Sequence, residues 1–502
     1  MKLPFAAVFS VLLVFGIATP PTSAADSLAT RKLDIIRSQH QQLQEEFHAE
    51  LTKIIPQAQA TGSSETVAEI ERLTTPTESS QLQFSKLPAQ VLPEIPRNLP
   101  EAERVWRREL RSTREKFGDE MYRLSRSALH AGFPSYAYRL VRETADIDPD
   151  HRQARRLLGY VRLEKRWVTP FAAKMARERK VWHDTYGWLR ADEVERYENG
   201  ERYYRRWMSA DQEAEIRRDF RHAWNIRTEH FLIKTNHSLE RGVEIASKLE
   251  EFYEFFQQTF VGYFYSPDQL KKLFTESSGG RAPRAREPFV VHFYRSREEY
   301  IDRLKARTPQ IAITTGFYHY GDRVAYFYFD EKADDSVIYH EATHQFLYET
   351  LPTLRHVGQQ THFWITEGIA CYMESYQNQN GQIGLGDPSY IRFEAARYRF
   401  FVDNYYVPFD KFSSMGMQEF QSIPQPQIGW NYSQASGLAH FFMHYDGGRY
   451  RDALVEHLSQ LYHTNPRQLR PPATLPQLIG ISSTKLDEQY AEHLKKLERG
   501  NR

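Results

Sequence analysis

Residues 334–349 read DDSVIYHEATHQFLYE, and no other stretch restricts the fold of this chain as much. Val337 to Tyr348 has helix-forming length and contains neither proline nor glycine. On a helix, His340 and His344 sit one turn apart and point to one side, so their imidazoles can share an ion. Glu341 is rotated by about 100° from His340 and leans over such an ion without ligating it. A general base must sit there to take a proton from water activated by a metal. The bland alternative is three polar residues on a solvated helix surface.

A catalytic zinc takes three protein ligands and keeps a fourth position open, so the fold must deliver a third ligand to this face. Leu347 and Thr350 stand where the long three-histidine version of the motif needs glycine and histidine. Downstream, HFWITEGIACYMESY places Glu367 at the start of a second apolar helix, 23 positions after His344. A helix–loop–helix lets that carboxylate reach back to the histidines. His362 and His356 are weaker competitors, since both fall in the connecting loop.

At 502 residues the chain has room for roughly two to four domains. Its 66 basic and 65 acidic residues nearly cancel, so no global field points to nucleic acid or to acidic lipids. The first 25 residues read as a signal peptide. Lys2 is followed by the apolar run Phe5–Ile17, too short to span a bilayer comfortably, and by the small residues of PTSAAD. An uncleaved anchor is the competing reading. Export to the periplasm or medium is therefore expected, with no membrane attachment after cleavage. Cys371 is the single cysteine, which rules out an intrachain disulfide and a cysteine-rich zinc site.

The organisation expected is α+β and mostly helical. Ser27 to Ile55 reads as a helix with the apolar stripe Leu43, Phe47, Leu51 and Ile54. Proline and small polar residues then suggest a linker without fixed shape up to residue 100. Residues 101–166 resemble degenerate helical-repeat hairpins with turns at Gly132–Pro134 and Asp148–Pro149. Such a helical half offers a surface for a protein partner. From 167 to 222, Trp167, Trp188 and Trp207 recur about 20 residues apart, each before a helix start at Thr169, Arg190–Ala191 or Ser209. One buried tryptophan per stacked unit is the plain reading, and a ligand-binding aromatic surface is the functional one. After Trp224, EHFLIKTN and EPFVVHFYRS read as strands either side of an amphipathic helix. GFYHYGDRVAYFYFD reads as a hairpin turning near Gly321–Asp322, and TESSGGRAPRARE as an exposed loop.

HEATH followed by WITEGIACYME resembles the gluzincin clan of zinc metallopeptidases, closest to the peptidase-MA-like families of exported bacterial proteins. The resemblance spans roughly residues 222–462, up to WNYSQASGLAHFFMHY. It implies a metallopeptidase-like domain over 223–500, with a small mixed sheet on the N-terminal side of the His340 helix. It also implies a zinc ion held by His340, His344 and Glu367, with Glu341 as base. A tyrosine or histidine on a later helix then stabilises the oxyanion; Tyr432 matches that position, with His440 as runner-up. Glu374 could hydrogen-bond a ligand histidine from behind, hold a substrate amine, or be an ordinary surface carboxylate. Cys371 reads as a small buried hydrophobe. An edge strand above the metal, for which VAYFYF is the candidate, would pair with an extended polypeptide substrate. The alternative of a different class is an exported binding or scaffold protein with a structural or vestigial zinc site.

Overall fold

The computed structural model describes residues 23–61, 64–74, 81–275, 287–350, 357–422, 424, 427–463 and 471–500. The leader expected at 1–25 lies almost wholly outside them, as do His356 and most of the loop TESSGGRAPRARE. Among the described residues the chain is α+β and mostly helical, with small sheets and none of them closed. No described helix is long and apolar enough to cross a membrane.

The N-terminal half forms as the hydrophobic stripes dictate. Phe47, Leu51 and Ile54 of the helix Ser23–Thr61 are buried against the helix Glu101–His130, with the Phe47 and Phe117 rings 5.2 Å apart. Pro56 does not end the first helix, because packing of Ile54 and Ala58 outweighs the one hydrogen bond that proline cannot donate. The helices Pro134–Ile147 and Arg152–Leu157 follow, with Gly132 at φ +96° in the first turn. Part of the expected shapeless linker is ordered. It carries the helix Ser64–Thr74 and the strand Leu82–Ser85, which pairs antiparallel with Gln382–Leu385. Proline and serine mark bends; they do not report a partner strand far away in the chain.

The tryptophan segment holds three two-stranded hairpins, 161–168, 180–190 and 201–209, each followed by a short helix. The expected helix starts at Thr169 and Ser209 are N-caps, accepting from the Ala172 and Gln212 amides; the middle helix begins later, at Val194. Only Trp167 is fully buried, donating to Asp150 at 2.8 Å, while Trp188 and Trp207 are partly exposed.

A five-stranded mixed sheet underlies the motif helix. Its spatial order is Phe317–His319, Val324–Tyr328, Phe289–Tyr294, Phe231–Thr235, Trp224–Arg227. The three inner strands run parallel and the outer two antiparallel to their neighbours. The helix Leu239–Thr259 makes the crossover between the second and third strands in sequence and lies on the sheet through Val243, Ala246 and Leu249. The VAYFYF strand, the candidate for the edge, is interior: Phe317–His319 covers it on one side and Phe289–Tyr294 on the other. Its residues 324–327 are buried on both faces, which explains why aromatic and apolar residues occupy every position.

The helix Phe363–Met373 crosses the helix Gln427–Gly448 at Gly368. A Cβ there would lie 2.7 Å from the Ala435 carbonyl oxygen and 3.2 Å from its carbon. Main chain cannot step aside as a side chain can. Gly368→Ala is expected to cost about 1–3 kcal/mol of folding stability, measured by urea denaturation. An unchanged midpoint would show that the two helices have room to part.

Candidate metal centre

The helix Ser336–Glu349 is anchored before its chemistry begins. Asp334 accepts from the Ser336 amide at 2.9 Å. Asp335 is held by Arg241 at 3.1 Å and Lys248 at 2.5 Å, both from the helix Leu239–Thr259. Ile338, Ala342, Phe346 and Leu347 face the core. His340 and His344 emerge on the opposite side, with side chains 16% and 12% exposed.

Glu367 reaches them from the second turn of the next helix, which begins at Phe363, four residues before the start expected from sequence. Its Oε2 is 3.6 Å from His340 Nε2 and its Oε1 is 3.9 Å from His344 Nε2. The two Nε2 atoms are 3.2 Å apart. Donors at about 2.1 Å from a tetrahedral ion stand about 3.4 Å from one another, so this spacing fits a single ion. These three residues form a group able to hold a metal, with donor atoms within 4.8 Å of one another. His362 takes no part: it caps the Glu367 helix with φ +61° and sets its ring against His457.

Glu374 is not a surface carboxylate. It is buried, and its Oε1 accepts from His340 Nδ1 at 2.8 Å. That bond puts the proton on Nδ1 and leaves Nε2 bare toward the metal position. Arg392 grips Glu374 through two bonds of 2.8 and 2.9 Å, and the Tyr390 hydroxyl adds a third at 3.3 Å. His340, Cys371 and Glu374 form a second group of close donors. There the Arg392 guanidinium already neutralises the carboxylate, so the first group is the better cation site. Cys371 is fully buried, and burial pushes its thiol up, consistent with a packed side chain.

The charges agree with this geometry. Burial alone would lower the His340 imidazole, yet its bonding to Cys371, Glu367 and Glu374 holds it well above the ordinary 6.5. Burial lowers His344, whereas burial of Glu367 is outweighed by the two histidines, which hold its carboxyl below the usual range.

Glu341 turns toward the sheet, and its Oε2 accepts from the Tyr318 amide on the edge strand Phe317–His319 at 2.8 Å. Tyr432, on the helix that meets Gly368, is partly buried. Its hydroxyl accepts from Gln421 at 3.1 Å and its ring stands edge-on to Phe420. Burial and the charge of Glu367 raise its phenol, keeping it protonated and able to donate. His440 is elsewhere. It is buried, with Nε2 on the Gly386 carbonyl and Nδ1 on His493, and burial pushes it down to about 4. Arg392, Tyr390 and the Tyr318 amide were not legible in sequence: the first two are ordinary side chains in and just before the helix Ile391–Phe401, and the third is backbone.

A family model described as a protein of unknown function (DUF1570) matches residues 334–467. That stretch opens just before the His340 helix and includes Glu367, Glu374, Arg392 and Tyr432. No curated protein matches the chain.

Glu374→Ala is expected to weaken metal binding about 10- to 100-fold, read by competition with a chelating dye, with the circular dichroism unchanged. Because metal-free His340 holds its proton above the ordinary range, metal uptake near pH 7 should release protons, and affinity should fall steadily on acidification. Calorimetry in two buffers of different ionisation enthalpy checks this; equal heats would contradict it.

Proposed function

We propose that the chain is a zinc-dependent metallopeptidase acting on polypeptide substrates outside the cytoplasm. The observation that carries this reading is the three-ligand cluster with an intact acid beside it. His340, His344 and Glu367 converge, while Glu341 is directed past them to the edge strand. A merely structural zinc site normally closes all four positions with protein ligands and has no use for a neighbouring base.

Zinc held by these three residues would supply Lewis acidity, activating water and polarising the scissile carbonyl. The residues supply the rest. Glu341 has one oxygen fixed by the Tyr318 amide, leaving the other to take the proton from the attacking water and pass it to the departing amine. Tyr432 donates its phenolic hydrogen to the developing oxyanion. Phe317–His319, one of the two edges of the sheet, is the strand beside Glu341 along which an extended peptide would lie. Arg392 and Glu374 hold His340 in the required tautomer.

Two substitutions test the roles. Glu341→Gln keeps the size of the side chain and loses the proton acceptor, so zinc content should persist while hydrolysis of a peptide library nearly vanishes. Tyr432→Phe should lower kcat about a hundred- to a thousand-fold with little change in KM, zinc content or melting temperature. Stoichiometric zinc in a wild-type protein that cleaves no peptide would favour the scaffold reading instead.

A further inference from the structure

A cavity of about 710 Å³ lies apart from the metal centre, and none of its lining residues belongs to that centre. It opens between the tryptophan hairpins and the long helix Leu239–Thr259. Tyr160, Phe171, Trp182, Trp188 and Tyr253 supply its aromatic walls. Trp182 and Phe171 stand edge-on to Trp188 at 5.5 and 6.0 Å, and all three rings remain partly exposed. Of the three repeated tryptophans, only Trp188 faces this space. The volume suits a small organic ligand.

The polar groups decide which ligand. Glu250 accepts from the His230 amide at 2.6 Å and its ring nitrogen at 2.7 Å. Glu254 accepts from the Tyr160 hydroxyl at 2.7 Å and Gln258 at 3.1 Å, with Arg142 3.7 Å away. Glu251 is paired with Lys86 at 2.7 Å. Each of these three carboxylates already has a donor or a cation beside it, which blunts its pull on a cationic ligand. With Glu229 also on the wall and Arg156 the one lysine or arginine among the described lining residues, the cavity still disfavours an anion, and a wholly apolar ligand would strip the carboxylates' water without replacing its hydrogen bonds. A carboxylate has about four lone-pair sites, and each of these keeps acceptor capacity in a fixed position. Pinned acceptors, the Gln257 amide and aromatic faces together suit a neutral molecule with hydroxyls around its rim and apolar C–H faces.

We propose that this cavity binds a short neutral oligosaccharide, stacked on Trp182 and Trp188 and hydrogen-bonded by Glu250, Glu254 and Gln257. The site is independent of the hydrolytic reading. Calorimetric titration of the full chain with cellobiose, maltose and N,N′-diacetylchitobiose tests it, with benzyltrimethylammonium and benzenesulfonate as charged aromatic probes. At least one disaccharide should bind one-to-one in the millimolar range or tighter and perturb tryptophan fluorescence. Trp188→Ala should weaken that binding about tenfold or more, with melting temperature and metal content unchanged. If Trp188→Ala fails to fold, Trp188→Phe and Gln257→Ala take its place and should each weaken binding measurably. The proposal is overturned if no disaccharide binds up to about 50 mM. It is overturned equally if either charged probe binds more tightly than all three sugars, or if binding survives undiminished in the folded variants.

Discussion

The hydrogen bond from His340 Nδ1 to Glu374 organises the rest of the site. An imidazole has two nitrogens, and a metal needs one of them bare. By accepting at Nδ1, Glu374 settles which nitrogen that is and which way the ring faces. Arg392 then holds Glu374 by both oxygens, so the carboxylate cannot swing into the metal position itself. The arrangement also separates two carboxylates on one helix. Glu367 lies toward the Nε2 side of His340 and Glu374 toward the Nδ1 side, and only the first is left to ligate.

This geometry requires close main-chain packing. Glu367 can reach the histidines only if its helix lies tightly between the His340 helix and the helix that carries Tyr432. Gly368, the next residue, permits the second of these contacts against the Ala435 carbonyl. The glycine after the glutamate therefore has a packing reason. On the other flank, Asp335 joins the His340 helix to the sheet-covering helix through Arg241 and Lys248. Two other elements thus clamp the His340 helix and fix the face on which its imidazoles stand.

The sheet contributes its edge. The aromatic strand Val324–Tyr328 is buried within it, and the short strand Phe317–His319 forms one of its two edges, with its Tyr318 amide on Glu341. The backbone that could receive a peptide and the carboxylate proposed as base are thus joined by one bond. The aromatic cavity between the tryptophan hairpins and the long helix Leu239–Thr259 shares no lining residue with the metal centre, so the two candidate sites are built from different residues.

The sequence by itself determined the local geometry. The spacing of His340 and His344 put both on one helical face, because the α-helix repeats every 3.6 residues. The run of apolar residues around Glu367 marked a second helix, and capping residues at Thr169 and Ser209 marked two helix starts in the tryptophan segment. These signals are legible because their physics acts within a few residues. Tertiary structure alone decided the rest. It placed Glu374 behind His340, sent His440 into the core with His493, buried the strand that looked like an edge, and ordered part of a proline-rich stretch by pairing Leu82–Ser85 with Gln382–Leu385. Each of those outcomes is a contact between residues far apart in the chain. Periodicity and turn chemistry report what a segment can become, and the burial of neighbouring surfaces selects what it touches.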